Sequence, residues 1–305
     1  MLLGMLSSPS LRTRGGAVLG AMIALGLPLL RPASPGVADG NPPGAAAVLS
    51  PPASPQDDQG PPAVDPFADL RAAFAAQGIG LDAERGIVTA PADVAVVNDL
   101  LEYLLVMPHG AAHEALFVTT VDAEVLNTAL LTLGVAPGIN ADWAPKEPAP
   151  SQEELAAGVS PYEVRVPEGD GLYLYAGWRE GDEVHLHRIE DLVRDRFRGR
   201  TLRRHRFVYL GSALTQRTPD DPARFAASTD GNLINVSFFK AGHTLLTTAL
   251  EECVDQSAWL ANAWLLPPVG STVQLVFARE RLVPDLAGLG ELPQVAPAPE
   301  GAQGR

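Results

Sequence analysis

The 305-residue chain has one cysteine, Cys253, so it cannot close an internal disulfide and its fold must draw its stability from a packed core. Lysine is nearly absent: Lys146 and Lys240 are the only two among 22 basic residues, against 36 acids and a formal charge of −14. Aromatics make up 6% of the chain and do not interleave with the basic residues, which argues against a nucleic-acid partner. No phosphate-cradling loop, dinucleotide fingerprint, HExxH helix or GxSxG elbow is present, and Ser212 in LGSAL reads as structural. Cys253, in TTALEECVDQSAWL, reads as a small buried hydrophobe.

A long apolar run is also missing. The longest, Ala17 to Leu30, is about fourteen residues and contains Pro28, short of the roughly twenty a spanning helix needs. Arg12 and Arg14 precede it and small residues follow around Gly36 and Ala38, so residues 1–38 read as a secretory signal without a lipid-accepting cysteine or a twin-arginine pair. Its removal would take away three arginines and move the formal charge to about −17. The expectation is an exported protein of the periplasm or cell surface, with no transmembrane span after cleavage.

Proline, alanine, serine and aspartate dominate residues 39–64, which read as a disordered linker. A folded domain is expected over 65–283 and a disordered tail over 284–305. Asp65 and Pro66 are placed to start a helix that Gly78 stops, with Phe67, Leu70 and Phe74 on one face. Gly86 to Val97 reads as one or two strands broken by Pro91.

Leu100 to Gly138 is the best-specified unit. Apolar residues on both faces of Leu100 to Met107 predict a central strand, and EALFVTTV a second, joined as a hairpin by the PHGAAH loop. Asp122 stands as N-cap to a helix with an apolar stripe of Val125, Leu126, Ala129, Leu130 and Leu133, ended by Gly134. Residues 138–161 read as a surface excursion. Strands follow at 162–166, 171–179 and 183–188, with hairpin chemistry in Glu168-Gly169-Asp170-Gly171 and Glu180-Gly181-Asp182, and β pattern resumes in HRFVYLGSAL. Asp230-Gly231 carries the strongest hairpin signal, and Thr272 to Ala278 is the last strand. Together these predict α+β: a single domain with a largely antiparallel β-sheet and a few packed helices.

The segments LLEYLLVMP, HEALFVTT, LNTALLTLGVAPG, VYLGSAL, STDGNLINV and ANAWLLPPVGSTVQLVF resemble the YdjY domain family, bacterial proteins found notably in planctomycetes, over about Ile87 to Ala278. The most specific part is His113-Glu114 followed by the helix ending in LTLG; Ala115 stands where the family commonly has Ser. Some relatives carry cysteine clusters for iron–sulfur centres, which Cys253 alone cannot hold. The resemblance implies domain limits and export and carries no reaction with it.

Three sets of residues stand out chemically. His109, His113 and Glu114 could converge on zinc or another divalent ion, or move a proton, with His109, Asp142 or His243 as the third group; otherwise His113 and Glu114 fix the turn. His185 and His187 share a strand face and could both reach one ion, but with Val184 and Leu186 on the opposite face they read as a solvent-facing edge, and His205 and His243 stand alone. Seven arginines lie between Arg194 and Arg206; Arg200, Arg203 and Arg204 are the anion-binding candidates, against a reading in which the run meets the protein's own acids, such as Asp191 and Asp195. The leading expectation is a non-enzymatic binding or interaction module without a cofactor, taking a protein, glycan or small molecule of the cell envelope. A metal-dependent, hydrolase-like enzyme centred on His113 and Glu114 is the first alternative, and anion recognition through the arginine run the second.

Overall fold

The computed structural model describes residues 67–216, 218–282 and 289–296. The signal and linker readings, and the Asp65-Pro66 helix start, lie outside these residues. The frame is a closed ring of eight strands: β1 (Ile87–Val94), β2 (Tyr103–Val106), β3 (Ala115–Val118), β4 (Gly171–Glu180), β5 (Phe207–Tyr209), β6 (Asn232–Asn235), β7 (Leu246–Thr247) and β8 (Thr272–Ala278). The order around the ring is β1-β8-β4-β5-β7-β6-β2-β3, and β3 returns to β1 through Asp93 opposite Val118 and Val94 opposite Phe117.

This closed barrel corrects the α+β expectation. The α-helices among the described residues are short, α1 (Ala68–Ala75), α2 (Ala123–Thr132), α3 (Gln152–Ala156) and α4 (Ala226–Asp230), and they decorate the barrel instead of forming a layer against a sheet. Hydrophobic patterning identifies strands, whereas closure rests on one short pairing between strands distant in sequence. The lumen is filled: Leu105, Phe117, Leu174, Ile234, Leu275 and Phe277 line a void of only about 10 Å³. That void has room for at most one water molecule.

Several local readings change with it. β2 and β3 are parallel, with Tyr103 opposite Ala115 and Leu105 opposite Phe117, so the PHGAAH loop closes no hairpin. Residues 107–114 run back along a four-residue strand, a distance that eight extended residues, reaching roughly 26–29 Å, cover with ease. The Asp230-Gly231 hairpin is likewise absent: FAAST supplies the helical turn α4, and Gly231, at φ 73°, ends it in the left-handed region. Pro91 does not break β1, because residues 90–92 fall between its pairings with Gly80–Asp82 and with β3, where no ladder donor is required. The 138–161 excursion contains α3 and a strand, Asp142–Pro145, which pairs antiparallel with Tyr162–Arg165.

Other elements form as their residues dictate. The Asp122 carboxylate accepts from the Glu124 and Val125 amides, and Ala123, Leu126, Ala129 and Leu130 of α2 are buried. Gly181 turns β4 into Glu183–Arg188, with Glu180 opposite Glu183. Within the stretch read as a disordered tail, Gln294–Val295 pairs parallel with the end of β4, and Leu289 and Leu292 cover Ile87, Tyr175 and Val276 outside the barrel.

Candidate functional site

The predicted metal trio does not converge. His109 Nε2 lies 3.0 Å from the Ser228 carbonyl, while His113 is 82% exposed with its Nε2 3.8 Å from a Glu114 carboxylate oxygen. The backbone of Glu114 accepts from the Glu102 amide at 2.9 Å, and the Glu102 carboxyl is raised above its usual range by burial and then by the Glu114 charge. His243 is held elsewhere, Nδ1 2.6 Å from Asp230 Oδ2, and Asp142 sits opposite Arg165. Among the described residues no three His, Cys, Asp or Glu side chains come together to hold a metal ion.

The arginine run meets the protein's own acids. Arg198 pairs with Asp195 at 2.6 Å and Arg204 with Asp191 at 2.7 Å. Arg203 Nε donates to Glu252 at 2.7 Å and Arg200 reaches the same carboxylate at 3.4 Å. Hydrogen bonds from Arg203, above all, hold the Glu252 carboxyl down at about 2. The three anion-binding candidates are therefore already engaged. Exposed Arg194 has no ion pair among the described residues.

The isolated groups are also structural. Ser212, at φ 60°, donates from Oγ to the His243 carbonyl and accepts from the Ala227 amide. Burial pushes the Cys253 thiol up to about 12, which keeps it a protonated core group. His205 is pushed down by burial; its Nδ1 lies 2.9 Å from the Arg203 carbonyl, above a buried Arg188–Glu190 pair.

What sequence reasoning missed is a pair of grooves divided by Trp264. Its indole is 72% exposed on a 3₁₀ turn, Ala263–Leu265. On one side, a groove of about 340 Å³ is lined by Trp178, Glu180, His185, His187, Pro267 and Pro268. On the other, one of about 250 Å³ is lined by Val97, Asn98, Arg194, Leu260, Asn262 and Trp264 itself.

The floor of the first groove corrects the reading of His185 and His187 as a solvent-facing edge. Both rings lie on Trp178, each with its centroid 5.3 Å away, because Trp178 on β4 stands directly opposite His185 on the returning strand. His185 Nε2 is buried without a hydrogen-bond partner; the nearest carboxylate, Glu180, is 4.0 Å away. Burial, and then the neighbouring His185, pushes the His187 imidazole down, so this part of the floor is uncharged at neutral pH. The signal in the sequence was Trp264 between Asn262 and the Pro267-Pro268 pair, within the last of the segments that carry the family likeness.

The family pattern described as the YdjY domain matches residues 79–278, about two-thirds of the chain. The chain belongs to the YdjY domain family. No curated protein and no solved structure matches it. The matched residues of the YdjY domain include all eight barrel strands and every residue named in the two grooves.

The two grooves lie on the outside of the barrel. Trp264 presents a large apolar face with a single N–H donor, the floor adds imidazole donors and acceptors, and Glu180 and Arg194 place opposite charges on the two sides of the indole.

Proposed function

We propose that this YdjY domain is an exported, non-enzymatic binding module, working in the periplasm or at the cell surface, that takes an extended ligand across Trp264. Export rests on the arginine-flanked apolar run of residues 1–38. The observation that carries the binding reading is the exposure of Trp264, 72%, between two grooves. A large, rigid aromatic at the centre of a concave surface is the side-chain type on which binding energy concentrates.

Two grooves that share Trp264 favour a chain-like ligand over a compact one, because a compact ligand is normally enclosed on most sides. The decisive experiment is calorimetric titration of wild type and Trp264→Ala with a panel of proline-containing peptides and linear oligosaccharides. The expected outcome is at least one ligand whose affinity falls by roughly thirtyfold or more in Trp264→Ala, the loss that truncation of a central anchor produces. Ligands that bind both proteins equally would overturn the reading. A further variant, Glu114→Gln, should leave binding unchanged, since Glu114 lines neither groove.

A further inference from the structure

The side chains beside Trp264 are specific in kind, and they narrow the ligand to one chemical class. We propose that the two grooves take a linear glycan in which neutral and carboxylate-bearing sugars alternate, with a neutral ring in the groove of Glu180, His185 and His187 and the carboxylate of the next ring at Arg194. The proposal rests on the reading of the two grooves as the binding surface and deepens it by fixing the chemistry of the ligand.

Hydroxyl recognition is the first argument. A sugar ring has an apolar C–H face and a rim of hydroxyls, each of which donates and accepts through one oxygen. Trp264, 72% exposed where the grooves meet, supplies a flat apolar platform for such a face. The polar groups around it suit the rim. Asn98 makes no side-chain hydrogen bond among the described residues, so its amide offers both a donor and an acceptor. Asn262 commits its Nδ2 to the Asp191 carbonyl at 3.0 Å, which leaves its Oδ1 to accept. The uncharged His187 imidazole presents one donor and one acceptor, and the buried Nε2 of His185 has no partner. A hydroxyl can serve that nitrogen in either tautomer, whereas a peptide carbonyl serves only the protonated one.

Charge then sets the alternation. Arg194 is exposed, stands opposite Leu260 in the strand pairing beside the second groove, and makes no ion pair among the described residues. A guanidinium in that position takes a carboxylate through two parallel N–H donors. Glu180 borders the other groove, where it disfavours an acid while its oxygens accept from hydroxyls. A chain of formal charge −14 also opposes a ligand charged on every ring. One carboxylate on alternate rings, seated at Arg194 and kept from Glu180, satisfies the local contacts and the overall field together.

The test is calorimetric titration of the full chain with a hyaluronan hexasaccharide, in which uronate and neutral sugars alternate, with the same compound after reduction of its carboxyls to alcohols, and with hexagalacturonate, which carries a carboxylate on every ring. The hyaluronan hexasaccharide should bind about tenfold tighter than its reduced form, the worth of one charge-assisted contact, and tighter than hexagalacturonate. Arg194→Gln should lower the affinity for hyaluronan to that of the reduced form and leave binding of the reduced form unchanged, a selectivity that a misfolded variant would not show. Glu180→Gln should strengthen binding of hexagalacturonate. Absence of hyaluronan binding, equal affinity for the charged and reduced forms, or a loss in Arg194→Gln that is the same for both overturns the inference. If proline-containing peptides bind in a Trp264-dependent way and none of the three glycans does, the binding module stands and only its glycan ligand falls. Hyaluronan binding undiminished in Trp264→Ala would place the ligand elsewhere and overturn the inference together with the reading of the grooves.

Discussion

Glu252 shows how one side chain draws a run of like charges into the fold. It lies 49 positions from Arg203 in sequence, yet it accepts from both Arg203 and Arg200 at the surface of the domain. In an unfolded chain its carboxyl would titrate near 4.5, and in the fold it titrates at about 2. The lowered folded value means that its contribution is fully present above about pH 4.5 and is lost as pH falls towards 2. Replacing it by Gln should cost about 1–3 kcal/mol at pH 7. The deficit should shrink between pH 4.5 and 2 in urea titrations run across that range. A deficit that is the same at pH 2 and pH 7 would remove the ion pairs from the account. Clustering of the arginines was legible in the sequence, and so was their pairing with nearby Asp191 and Asp195. Glu252 was not, because nothing local marks a partner that only folding brings near.

At the scale of elements, the loop between β2 and β3 depends on two glycines that touch. A Cβ on Gly110 would stand 2.5 Å from the Gly231 carbonyl oxygen and 2.7 Å from Asn232 Oδ1. The same contact region includes the Met107 amide donating to the Gly231 carbonyl. Gly110→Ala should therefore force the loop off α4, costing roughly 1–3 kcal/mol, the usual penalty of overpacking, and lower the thermal midpoint. It should also free the His109 ring from the Ser228 carbonyl, visible as a change in the chemical shifts of its ring protons. An Ala variant as stable as wild type would contradict the close approach. Strand and helix positions in this region followed from the alternation of apolar residues and from the Asp122 cap. Parallel pairing did not, since an eight-residue loop rich in small residues suits a hairpin or a return crossover, and the choice is made by what β2 and β3 pair with on their far sides. Asp230-Gly231 misleads for a related reason: AAST before it is as good a helical turn as a strand end.

Across the whole molecule, the barrel has no spare interior. Phe117 is fully buried, lines the central void and sits opposite Val94 in the pairing that closes the ring. Phe117→Ala should cost about 3–5 kcal/mol in urea unfolding, because the small void indicates close packing with little room to absorb a new cavity. A cost below 1 kcal/mol would mean that the barrel relaxes around the gap. The grooves at Trp264 belong to this scale too, since they bring together β4, its returning strand, the turn before β8 and Arg194. His185 and His187 were read from strand alternation alone as facing solvent, and their stacking on Trp178 follows from cross-strand register. Register is a property of pairing and not of composition.

The sequence by itself determined seven of the eight barrel strands, all but β7, together with the capped helix α2, the Gly181 turn and the family, because each is written in neighbouring residues through periodicity, caps and turn chemistry. Only the tertiary structure decided that the strands close into a barrel, that the lumen is filled, and that Trp264 stands between two grooves. Those outcomes depend on pairings between residues far apart in the chain, such as Val94 with Phe117, whose geometry no local pattern encodes.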